Sequence, residues 1–186
     1  MMKRILVGSM LALSLLSTAS QADWYGELGY AEGGDKFDVI VTNEHGSELD
    51  KSVSLGGGFN MELGGTHNYT ELFTLQYGFG YKFDSVVAGD DEVSFKRYPI
   101  NAIGLFDLGD TFQLGAGLTY EYNPKLNLID MDLGSYGADD ALGLVLQMGW
   151  RFGGMRILLR HTQIDYQFAG GKLDGNNTGL HFGFVW

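Results

Sequence analysis

Residues 178–186 read Thr178-Gly179-Leu180-His181-Phe182-Gly183-Phe184-Val185-Trp186. Positions 180, 182, 184 and 186 are bulky and apolar, while 179, 181 and 183 are glycine or histidine. A period of two marks a strand, because successive side chains leave a pleated backbone on opposite faces. One face here is a row of Leu and aromatic rings; the other, Val185 apart, is small or polar.

Seven earlier segments repeat the division. Trp24–Ala31 sets Trp24, Leu28 and Tyr30 against Tyr25, Glu27 and Gly29. Ser52–Met61 has Val53, Leu55, Phe59 and Met61 opposite Ser54, Gly56, Gly58 and Asn60. Leu72–Phe83 alternates Phe73 through Phe83 with Thr74, Gln76, Gly78, Gly80 and Lys82. Val93–Phe106 puts Tyr98, Ile100 and Ala102 away from Arg97 and Asn101. Thr111–Tyr122 and Ala141–Phe152 are as regular, with Gln113, Glu121, Gln147 and Arg151 on their polar faces. In Met155–Phe168 the apolar phase runs Ile157, Leu159 and then moves to Ile164, Tyr166 and Phe168, which predicts a bulge or an exit from a bilayer.

The phase decides the fold. A soluble barrel buries its apolar set, yet here the complementary set is Gly, Thr, Gln, Glu, Arg and Lys, which cannot fill a dry core while a ring of Phe, Tyr, Leu and Trp faces water. Facing lipid, the same pattern is stable, because a closed barrel pairs every backbone group. Strands of about 9–11 residues suffice to cross. Trp24, Tyr25, Tyr81, Phe83, Phe106, Tyr120, Tyr122, Trp150, Phe152 and Trp186 crowd the strand ends as interfacial girdles do. The fold class predicted is all-β, an eight-stranded antiparallel transmembrane up-and-down barrel.

Composition agrees. There are 29 Gly, only two Pro (Pro99 and Pro124) and no Cys, so no disulfide framework is available. A formal charge of −11 without a basic stripe excludes nucleic acid as a partner. Met1-Met2-Lys3-Arg4, the apolar run Ile5–Leu16 and Ser20-Gln21-Ala22 form a secretory signal peptide, residues 1–22. Cutting after Ala22 leaves Asp23–Trp186 as a single barrel domain, with no Cys for a lipoprotein anchor. Connections alternate: Asp107–Asp110, Gly153-Gly154 and 62–71 are periplasmic turns, while 32–51, 84–92, 123–140 and 169–177 are longer, mostly acidic extracellular loops.

The closing strand resembles the C-terminal strand of bacterial outer-membrane barrels, which implies that Leu180, Phe182, Phe184 and Trp186 are an assembly signal read by the barrel assembly machinery. The mature chain, including Arg97-Tyr98-Pro99-Ile100-Asn101 and Leu114–Pro124, resembles the small outer-membrane proteins of the OmpA/OmpX kind. That resemblance implies residence in the outer membrane, outer-membrane lipid and lipopolysaccharide as partners, and a monomer. No cofactor or metal is expected.

Eight strands leave an interior just wide enough for side chains. The lumen cluster expected from the alternation is Glu27, Lys82, Arg97, Glu121, Arg151, Arg156 and Arg160, with Gln76, Asn101, Gln113, Gln147 and His181 beside it. Glu27 and Glu121 are the inward acids, so Glu27 should pair with Arg151, Arg156 or Arg160, and Glu121 with Arg97 or Lys82. These pairs either plug the lumen or line a narrow path. No catalytic residues are assigned. His161 is followed by Thr162 and Gln163, not Ser, and His45 and Ser47 are related only by proximity. Asp130-x-Asp132-x-Gly134 lacks the remaining positions of a calcium loop. The function expected is a non-enzymatic structural or surface-interaction barrel working through its acidic loops. The alternatives are a lipid A-modifying enzyme and a narrow small-solute channel.

Overall fold

The computed structural model describes residues 22–42, 48–88, 91–129 and 134–186. Nearly all of the signal-peptide segment, His45, Ser47, Asp130 and Asp132 lie outside them. Thirteen strands run through the described residues: β1 (Ala22–Glu32), β2 (Lys36–Thr42), β3 (Glu48–Ser54), β4 (Gly58–Asn68), β5 (Phe73–Ala88), β6 (Asp91–Leu108), β7 (Phe112–Ile129), β8 (Gly134–Gly137), β9 (Ala141–Phe152), β10 (Met155–Gln163), β11 (Asp165–Phe168), β12 (Gly171–Asp174) and β13 (Asn177–Val185). Eight of them close into an antiparallel ring, β1-β4-β5-β6-β7-β9-β10-β13, with β13 paired back onto β1. The remaining five are hairpin arms at one end.

The register fixes the barrel's geometry. A row of paired residues leaves Ala22, passes His67, Leu75, Gly104, Ala116, Leu146, His161 and Thr178, and returns to β1 at Glu32, ten residues further on. Ten residues of stagger across eight strands corresponds to a tilt of about 40°. Between those ends the outward side chains are apolar: Leu28, Leu63, Phe79, Ile100, Leu118, Leu146 and Phe182 all stand exposed. Ten tilted residues span about 25 Å, the height of a lipid-facing band.

Three expectations are corrected or narrowed. The second membrane strand is Gly58–Asn68, not Ser52–Met61. Gly56-Gly57-Gly58 breaks the run: Gly58 sits at φ 109, and a Cβ there would lie 2.2 Å from the Phe83 carbonyl oxygen. Val53 and Leu55 therefore belong to a separate arm and are fully buried, while Phe59 and Met61 face outward. The 62–71 turn shrinks accordingly to 69–72. In β10 and β11 the move of the apolar phase marks an exit from the membrane band, not a bulge. Leu158, Arg160, Thr162, Ile164 and Tyr166 all point inward in unbroken alternation; only their polarity changes. Tyr25, expected in a girdle, is wholly buried in the lumen.

One cause underlies the first two. β5, β6 and β7 run for 16, 18 and 18 residues, well past the membrane band. The described residues of 84–92 and 123–140 are thus largely strand. Above the band the barrel meets water on its outside, so apolar residues turn inward, and Val53, Leu55, Val93, Phe95, Leu126, Ala141, Ile164 and Tyr166 form a buried cluster. A bulge helps this reversal in β7. Asn123, at φ 53, adds one residue opposite β6 between the Lys96 and Tyr98 pairings, moving the inward set from Glu121 to Leu126.

Candidate functional site

The lumen is filled by layers of charge. Nearest the periplasm, Arg151 pairs with Asp107 at 3.3 Å and remains part exposed. Above it, Glu27 of β1 meets Arg160 at 2.8 Å, His181 Nδ1 at 2.9 Å and Arg156 at 3.6 Å. Arg160 also reaches Glu62 at 2.9 Å and donates to the Gln147 side chain at 3.0 Å. Glu62 accepts from the Asn101 amide at 2.7 Å and from the Tyr25 hydroxyl, and Arg156 lies over the Tyr25 ring. Small residues opposite make room. A Cβ at Gly78 would stand 2.0 Å from the Tyr25 hydroxyl oxygen, and one at Gly29 would stand 2.3 Å from His181.

Toward the outer end, Arg97 and Glu121 pair at 3.1 Å, and Arg97 donates to the Gly57 carbonyl at 2.7 Å. The Tyr166 hydroxyl donates to Glu121. Burial, ahead of the Glu121 charge, holds that hydroxyl well above its usual pKa, so it remains a neutral donor. Lys82 donates to Asn177 at 3.0 Å. The space beside Lys82, Asn101, Thr119 and Arg160 is about 20 Å³, the size of a single water.

Arg156 and Arg160 join Glu27, and Arg97 joins Glu121. The other two bases named as alternatives take different partners. Arg151 stays at the mouth with Asp107, and Lys82 turns to Asn177. Glu62 was missed: it is a third inward acid, 2 % exposed, alongside Glu27 and Glu121. Its signal was the alternation Asn60, Glu62, Gly64, Thr66, hidden while the strand was taken to end at Met61.

Outside the lumen, His161 faces away from the barrel with Nδ1 3.0 Å from the Thr178 hydroxyl. Among the described residues no three His, Cys, Asp or Glu groups gather to hold a metal ion. At the extracellular end Asp140 accepts from the Tyr120 hydroxyl at 2.6 Å and the Asn123 amide at 2.8 Å, clamping the bulge. Those bonds hold its carboxyl below the usual range. Over the buried cluster, between the hairpin arms, opens an apolar cup of about 870 Å³.

A closed eight-stranded antiparallel barrel, apolar toward lipid and ion-paired within, defines a small outer-membrane β-barrel protein of the bacterial outer membrane. Solved structures of that class superpose on it. Ail of Yersinia pestis, in complex with the heparin analogue sucrose octasulfate, matches with a TM-score of 0.58 and 16% identity over 89% of this chain and 99% of that one. Neisserial surface protein A matches with a TM-score of 0.50 and 12% identity, over 88% and 95% of the two chains. At such identities the likeness is one of fold. No family model matches the chain, and no curated protein matches it.

Proposed function

We propose that the protein is a non-enzymatic outer-membrane barrel with a closed lumen, working through its extracellular face. The observation carrying this reading is the stack of buried ion pairs, Glu27–Arg160–Glu62 beneath Arg97–Glu121, with a space of about 20 Å³ between them. A solute would have to separate desolvated charges to pass, at a cost of several kcal/mol. An enzyme acting on lipid A needs a nucleophile beside a base that a third group orients; the outward His161 meets the Thr178 hydroxyl on a face of Leu146 and Leu159, and among the described residues no carboxylate pairs with its ring.

Residues 1–22 serve as the export signal, and Leu180, Phe182, Phe184 and Trp186 serve assembly. Outer-membrane lipid and lipopolysaccharide surround a monomer. The sulfated sugar held by Ail is not carried over, because this chain's outer segments are strongly acidic. Planar-bilayer recordings of the refolded barrel, run beside mass spectrometry of lipid A from cells with and without it, test the reading. No ohmic conductance and unchanged lipid A are expected; steady conductance or a new acylation pattern overturns it.

A further inference from the structure

We propose that the cup at the extracellular end binds a small cationic amphiphile, a molecule with an apolar body and a positively charged head. The proposal rests on the reading of the outer face as the working surface and names its ligand class. Two independent observations support it.

The first is the cup. Its walls include Phe37, Leu126, Leu128, Phe168 and Leu173, contributed by β2, β7 and the arm β11–β12. Its volume of about 870 Å³ falls within the range of small-molecule sites. Phe37, Leu128, Phe168 and Leu173 pack against the buried cluster yet remain only half-buried. They stand above the membrane band, where water rather than lipid meets them. Half-buried apolar walls in that position gain by taking up an apolar body.

The second is charge. Segments 32–58, 84–96, 123–140 and 165–176 hold sixteen Asp and Glu against five Lys, a balance of −11 that equals the formal charge of the whole chain. Without residues 1–22, the rest of the chain, lumen included, holds seven Asp and Glu against five Lys and Arg, a balance of only −2. An apolar cup set in such a field concentrates cations and repels anions. Asp38 lies on the cup's wall and is exposed, placing a carboxylate where a charged head would emerge. Fatty acids, lipid phosphates and sulfated sugars carry the wrong sign, and a neutral apolar molecule gains nothing from the field.

The mature barrel, refolded in phosphatidylcholine nanodiscs, is titrated with octyltrimethylammonium, octanoate and octanol by ligand-observed NMR against protein-free nanodiscs. Octyltrimethylammonium binds about tenfold more tightly than octanoate at low salt, and the preference shrinks as salt rises. Phe168→Ala and Leu128→Ala each weaken it several-fold, whereas Asp38→Asn reduces its advantage over octanol and leaves octanol unchanged. Heat-shifted mobility in SDS verifies that each variant is folded. Octanoate binding as tightly as the ammonium, or ammonium uptake no greater than by protein-free nanodiscs, overturns the proposal. Conductance tests the closed lumen separately, so either reading can fail while the other stands.

Discussion

Glu27 on β1 and Arg160 on β10 meet at 2.8 Å across the barrel interior, with the side chain of each almost wholly withdrawn from solvent. Arg160 simultaneously holds Glu62 on β4, so one guanidinium ties together three strands on both sides of the seam where the barrel closes. The link resists separation of those strands, because each charge is stable only with its partner in place.

Glu27→Gln strands parts of Arg156, Arg160 and His181 and should cost about 3–5 kcal/mol, less where water enters. The exposed pair Asp165–Lys172, at 2.8 Å on the outer arm, is the comparison: Asp165→Asn should cost about 0–1 kcal/mol. Urea unfolding in lipid vesicles measures both. Equal losses would show that the lumen pairs add no more than surface ones.

Leu118 on β7 is exposed at mid-band, between Ala116 and Tyr120. Arg there should destabilise the barrel in lipid by about 2–4 kcal/mol. The change in water-exposed Ser135→Arg on β8 should be small, which controls for general intolerance of charge. An unaffected Leu118→Arg variant means that this face does not touch lipid.

Leu55 tests where the polarity rule reverses. It is fully buried in the outer cluster, so Leu55→Ala should cost about 2–5 kcal/mol. Leu118→Ala, on the lipid face, leaves no internal cavity and should cost much less. Both residues sit in alternating stretches, and one rule assigned both to the lipid face. The regular strands were legible because Leu72–Phe83, Thr111–Tyr122 and Ala141–Phe152 keep a single solvent on each face throughout. The lumen residues followed, since any inward charge in a narrow barrel needs a partner. Strands that outrun the membrane were legible only where the apolar phase moves, at Ile164 and Tyr166; elsewhere alternation reports the period of a side chain, not which face meets water, lipid or core. Val53 and Leu55 were therefore misread, and Glu62 was lost with the strand that carries it.

Asp140 should make the outer end sensitive to acid. Its carboxyl is held below the ordinary value of 3.8, first by the Tyr120 hydroxyl and then by the Asn123 amide. A depressed value in the folded state means that the clamp is complete above the unfolded value and lost as pH falls through the folded one. Protease cleavage around the Asn123 bulge should therefore rise at the acid end in the unmodified protein. Asp140→Asn should remove that pH dependence and leave the membrane band intact. An identical acid profile in the variant would assign the effect to another carboxylate.

Trp186 separates assembly from stability. It closes the ring through paired backbone bonds with Trp24, at 3.0 and 2.9 Å, and its indole ring packs over Gly26. If it acts as a recognition residue, its deletion should lower the folded barrel recovered from outer membranes several-fold. Spontaneous refolding of the same truncated chain into short-chain lipid vesicles should still give the heat-shifted form, because two peripheral backbone bonds contribute only about 1–3 kcal/mol. Trp186→Phe should restore assembly, since it keeps an aromatic ring at the end of the row Leu180, Phe182, Phe184. Equal losses in cells and in vesicles would make Trp186 a stabilising clasp on Trp24, with no separate part in recognition.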